Sequence, residues 1–134
     1  MKRLVITILA ATALSGCSGI PSLTSSEPRM LSASEVYTLF NEHTVRSYNL
    51  ENKVSTWSYY RNDGQLFQER FWAPRNGTWS IQEDGQICLT VKSKSCRFIG
   101  QQGDRIYKFR SDDKGRLERI IRYKNFVPGN PLGL

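Results

Sequence analysis

The chain has 134 residues, a net charge of +7, three cysteines and a single histidine. That length supports one domain and is too short for two comfortable cores. One histidine far from the cysteine pair gives no basis for a metal centre, and after the first fourteen residues no stretch approaches the eighteen apolar residues of a membrane-spanning helix.

The chain opens with Lys2 and Arg3, followed by a mostly apolar run from Leu4 to Leu14. Eleven residues rise only about 16 Å as a helix, short of the roughly 30 Å of a bilayer's hydrocarbon, so the run is a targeting leader rather than an anchor. It ends in Leu14, Ser15, Gly16 and Cys17. An ordinary secretory cut after Ala13 also fits a small-x-small pattern, but it would leave an odd thiol, whereas modification of Cys17 leaves Cys88 and Cys96 as an even pair. Leu14 to Cys17 resembles the lipobox of bacterial lipoproteins. The resemblance implies a leader over 1–16, a diacylglycerol thioether on Cys17 and a palmitate-like acyl chain on its amine. Several such chains hold a protein to a membrane nearly irreversibly. Ser18 follows, and by analogy with enterobacterial sorting its place implies the outer membrane, with the body facing the periplasm.

Residues 17–31 read as the lipidated terminus and a flexible tether rich in Ser, Gly, Pro and Thr. Residues 32–134 read as one β-rich domain. Ser32 and Glu35 form a capping-box pattern, and Val36, Leu39 and Phe40 fall on one side of a short helix that ends by Asn41 to Thr44. Eight candidate strands follow: Thr44 to Leu50, Val54 to Arg61, Leu66 to Trp72, Gly77 to Gln82, Gln86 to Val91, Cys96 to Gly100, Arg105 to Arg110 and Leu117 to Asn125. Asp63, Gly64 and Asp84, Gly85 are the clearest hairpin turns; Pro74, Arg75 and Asn76 read as another. The broken alternation at Ile120 and Ile121 suggests a bulge or burial on both faces. The expected fold is mainly β, an antiparallel meander closing into a small barrel or bent half-barrel, with one short amino-terminal helix.

In an oxidising compartment Cys88 and Cys96 read as a disulfide joining adjacent strands near their turn. The run Gly77, Thr78, Trp79, then Asp84, Gly85, Cys88, Cys96 and finally Pro128, Gly129, Asn130, Pro131 resembles small exported proteobacterial proteins of uncharacterised families. The resemblance covers about residues 31–134 and implies a secreted β-rich module. Read alone, Gly77, Trp79, Gly85 and the cysteines are structural parts: turn, core aromatic, turn and staple. A weaker resemblance is to the protease inhibitors of the Inh type, small eight-stranded barrels with a disulfide, although their inhibitory trunk has no counterpart in Ser18 to Leu31.

Charge is uneven. Residues 18–91 carry six bases and eight acids, whereas residues 92–134 carry eleven bases and four acids. Lys108, Arg110, Arg119 and Arg122 are therefore the expected surface for an anionic partner, an envelope component or an acidic protein face rather than nucleic acid. No nucleophile elbow accompanies His43, most carboxylates fall in turns, and no phosphate-binding glycine loop occurs. No catalysis, cofactor or metal is expected. The expected function is that of a lipid-anchored, accessory or structural outer-membrane protein acting by binding; the alternative is a periplasmic inhibitor of an exported hydrolase such as a protease or lysozyme.

Overall fold

The computed structural model describes residues 27–134. The leader, Cys17 and the tether as far as residue 26 lie outside the described residues. A two-residue strand, β1 (Arg29–Met30), precedes helix α1 (Ala33–Phe40), and eight strands follow: β2 (His43–Asn49), β3 (Ser55–Tyr60), β4 (Gln65–Arg70), β5 (Ala73–Ile81), β6 (Ile87–Thr90), β7 (Lys94–Gln102), β8 (Arg105–Ser111) and β9 (Leu117–Pro128).

From β2 to β9 each strand pairs antiparallel with the next, and β9 returns to β2, closing an eight-stranded barrel. Closure removes the sheet edges that would otherwise invite pairing with another chain. β7 is shared along its length. Its first half pairs with β6, its second half with β8, and β1 covers the remaining side at Gly100 and Gln101. The end of the tether read as flexible is thus a ninth strand on the barrel wall.

Helix α1 starts as the sequence directs. The Ser32 side chain accepts the Glu35 amide and Glu35 accepts the Ser32 amide, at 3.3 and 2.8 Å. Val36 and Phe40 turn inward, and Phe40 meets Tyr60, Tyr123 and Phe126 edge-on at centroid distances of 5.0 to 5.5 Å. Together with Leu31, Val45, Leu66, Trp79, Ile87 and Ile99 these residues form the apolar core. The helix therefore stoppers one end of the barrel, the end that carries the turns around Gly64, Gly85 and Gly103.

The motif residues have structural roles, although Gly77, read as a turn, lies inside β5, because the turn that opens this strand is Phe71–Trp72. A side chain on Gly77 would place Cβ 2.1 Å from the Thr90 carbonyl oxygen, so only glycine lets β5 run this close to the end of β6. Gly85 has φ +92° in the β5–β6 turn, and a Cβ there would strike the Leu31 carbonyl oxygen at 2.4 Å. Trp79 is buried and donates from Nε1 to the Arg61 carbonyl at 2.8 Å, pinning the β3–β4 turn. Asn130 secures the carboxy terminus through reciprocal 3.0 Å bonds with the Leu134 backbone. Cys88 and Cys96 are directly paired across β6 and β7 and form a disulfide.

The β4–β5 turn lies elsewhere than expected. The β4–β5 turn is Phe71 and Trp72, not Pro74 to Asn76, because Arg70 pairs with Ala73 and Glu69 with Pro74. β6 reaches β5 only from Thr78 onward, so the amide missing at Pro74 faces no partner strand. Of the two alternatives left open at Ile120 and Ile121 the first holds: β9 bulges, with Lys108 paired with Ile121 and Phe109 with Arg119, leaving Ile120 extra.

Candidate ligand-binding chamber

An eight-stranded barrel is just wide enough to be filled by side chains or to hold one small ligand. Here the two halves differ. Near α1 the interior is solid apolar packing; toward the opposite end, which carries the 50–54 loop and the Phe71–Trp72 turn, it contains a cavity of about 140 Å³. Tyr60, Tyr123, Leu89 and Ile121 line it alongside Ser47, Thr56, Ser58, Gln68, Arg70, Arg75 and Lys108, and it reaches Asn49 and Val54 at the rim.

Strand alternation places these groups. In β3, Thr56, Ser58 and Tyr60 face inward while Trp57 and Tyr59 face outward; in β4, Gln68 and Arg70 face inward while Phe67 and Glu69 face outward. Glu69 accordingly sits half-exposed on the outer face, and Arg61 pairs with Asp63 at 2.7 Å.

The polar lining is organised. Arg75 donates from Nε and Nη2 to Gln68 Oε1 at 3.0 and 2.8 Å, and Gln68 Nε2 donates to Ser58 Oγ at 2.9 Å. This relay fixes the guanidinium of Arg75 and orients the amide of Gln68. Burial, then the neighbouring charge of Arg70, lowers the pKa of Arg75. Arg70 lies 5.4 Å from the Phe71 ring, and its Nε is buried without a partner among the described residues. Lys108 is 9% exposed and stands between Ile99 and Ile121 on the flanking strands. Burial first, and the charge of Arg97 second, push its ammonium down to about 8.

Burial raises the phenols of Tyr60 and Tyr123 above the usual range, so both stay protonated and can donate. The residues lining the chamber include three cations and no carboxylate. Lys108 is a buried positive charge and Arg70 and Arg75 are half-buried ones; cations gathered without a counter-charge cost stability, and such costs concentrate at functional sites.

The four bases expected to share one surface are divided by the barrel wall. Lys108 points into the chamber. Arg110 stands at the rim and bridges Glu51 at 2.6 Å and Glu118 at 3.0 Å, tying the 50–54 loop to β9. Arg119 lies over the outward Tyr107 ring at 5.0 Å, and Arg122 is paired opposite Tyr107 on the same outer face. Alternation in β8 put Tyr107 and Phe109 on one face and Lys108 on the other, but did not say which face was inside. His43 lies at the stoppered end with Nδ1 2.7 Å from the Asn41 carbonyl oxygen, away from the chamber. Among the described residues no group of three or more His, Cys, Asp or Glu side chains is placed to hold a metal ion, and no helix is long and apolar enough to cross a membrane.

Sequence reasoning missed Ser58, Gln68, Arg70 and Arg75 altogether. Their signal was alternation within β3 and β4, where the polar set is the inward one. No protein-family profile matches the chain, and neither the curated proteins nor the solved structures contain a significant match to it.

Proposed function

We propose that this chain is a lipid-anchored protein of the bacterial cell envelope that acts by binding, and that the chamber in the open half of the barrel is its ligand site. The observation that carries the reading is the division of the interior: apolar residues pack the half beneath α1, while the other half is hollow and lined by polar groups held in a hydrogen-bonded order. A barrel built only for stability gains most from filling that space with aliphatic side chains. The leader and Cys17 supply the anchor in this reading, and the outer membrane, seen from the periplasm, is its location. The test is native mass spectrometry of the protein isolated from its own membranes, beside Ser58→Trp, whose indole fills the chamber. A small molecule released by the wild type and absent from the variant supports the reading; identical spectra overturn it. Cys17→Ser that still fractionates with membranes overturns the anchor.

A second reading, inhibition of an exported hydrolase, is favoured by one feature. Phe71 and Trp72 form a hairpin tip that is 72% and 93% exposed, as an inserted inhibitory wedge would be. Assays against an exported protease and a lysozyme, with Phe71→Ser and Trp72→Ser as controls, test it. Absence of inhibition by the wild type rejects it for those enzyme classes.

A further inference from the structure

We infer that the chamber is specific for a small oxyanion, a carboxylate or phosphate of up to about six non-hydrogen atoms, whose charge is received by Lys108, Arg70 and Arg75. The inference rests on the reading of the chamber as the ligand site and adds the chemistry of what enters.

Three observations lead there. First, every ionisable group with a formal charge that lines the chamber is a cation, and none of these cations belongs to any of the ion pairs among the described residues. The available carboxylates are outside: Glu51 and Glu118 are engaged by Arg110, and Asp63 by Arg61. Second, a donor on one of the chamber's cations is left open. Gln68 Oε1 is already occupied by Arg75, while Arg70 Nε is buried without an acceptor. An anionic ligand rich in acceptors completes this set, whereas a cation meets like charge. Third, the volume sets a size. An internal cavity of about 150 Å³ accepts a molecule as large as benzene, with six heavy atoms, so a space of about 140 Å³ fits a short-chain acid or phosphate and excludes a nucleotide or an acyl chain.

The aliphatic and aromatic side divides the ligand in the same way. Leu89 and Ile121 offer apolar wall to a short carbon skeleton, while Ser58, Gln68 and the cations receive its head. Binding an anion also supplies the counter-charge that Lys108 lacks, so affinity and folding stability rise together.

The experiment uses the full chain in a neutral detergent at pH 7, titrated separately with butyrate, butyramide and inorganic phosphate and followed by amide NMR. Butyrate and butyramide share six heavy atoms and differ in charge. Butyrate and phosphate are expected to shift the amides of Ser58, Gln68 and Lys108 saturably, with butyramide at least about tenfold weaker, as expected for charge-assisted hydrogen bonds. Lys108→Met and Arg70→Met are each expected to weaken butyrate at least about tenfold while keeping a dispersed amide spectrum. Equal affinity for butyrate and butyramide, or butyrate binding unchanged in Lys108→Met, overturns the anion assignment and leaves the chamber as a ligand site. If none of the three probes shifts those amides by about 10 mM, a concentration at which even weak millimolar sites fill, the chamber loses both assignments. Lys108→Gln supplies the same comparison should the methionine variant not fold.

Discussion

Lys108 on β8 is paired with Ile121 on β9, so an ammonium is held against an aliphatic side chain inside the barrel. The groups that face it are Arg97 from β7, Arg70 and Arg75 from β4 and β5, and the phenols of Tyr60 and Tyr123 from β3 and β9; β2 contributes only Ser47 and Asn49. None of these carries a negative charge at neutral pH.

Lys108→Met should therefore stabilise the unliganded protein at pH 7, by about 1–3 kcal/mol, because it removes an unpaired buried charge. The sign reverses no further than pH allows. Lys108 titrates at about 8 in the folded chain against 10.5 for an ordinary lysine. Between these values the unfolded chain holds a proton that the folded chain has released, so wild-type stability rises with pH across that window, and below about 8 the full cost is present. Urea midpoints at pH 7 and pH 10.5 should show the advantage of the variant shrinking as pH rises; a constant gap contradicts the placement of Lys108.

Gly77→Ala should be strongly destabilising, by about 2–4 kcal/mol, since the new methyl meets backbone rather than a movable side chain. The thermal midpoint should fall while the disulfide still forms. A neutral outcome would mean that β5 and β6 are farther apart at Thr90 than described.

Reduction of the Cys88–Cys96 bond should lower stability by no more than about 2.6 kcal/mol, the chain-entropy contribution of a nine-residue loop. The barrel should stay closed, because β6 and β7 are also held by backbone pairing. Circular dichroism of Cys88→Ala with Cys96→Ala, compared with the wild type, checks both points.

Phe71 and Trp72 both have positive φ, 53° and 62°, in a two-residue hairpin turn whose natural occupants are Asn and Gly. Replacing them as Phe71→Asn with Trp72→Gly should raise stability by about 1–3 kcal/mol, since left-handed backbone is unfavourable for bulky residues. An exposed aromatic pair at this energetic disadvantage is the feature on which the proposed inhibitory reading depends. A fall in the thermal midpoint of the double variant would instead give the rings a packing role.

The meander was readable because turn residues separate short β-prone runs at close intervals, and the capping box marked the helix start. The Phe71–Trp72 turn was not readable, because two aromatic residues carry a strand signal and Pro74 carries a turn signal; register and the short reach of β6 decided against both. The chamber was hidden by a different effect. Alternation sorts residues into two faces but does not label them, and β8 illustrates the ambiguity. Tyr107 and Phe109 are buried on the outer wall, where Met30 of β1 reaches over Gly100 to Phe109, leaving the inside to Lys108. Sequence can identify an apolar face; it does not show that the Met30 and Arg119 side chains lie against that face from without.

The position of β1 has a further consequence. Arg29 enters opposite Gln101, next to the β7–β8 turn at the stoppered end, while the chamber reaches its rim at the far end among Asn49, Val54 and Arg70. The chain preceding Arg29 thus joins the barrel at its stoppered base, and the chamber's mouth and the Phe71–Trp72 tip lie at the end farthest from that point of attachment.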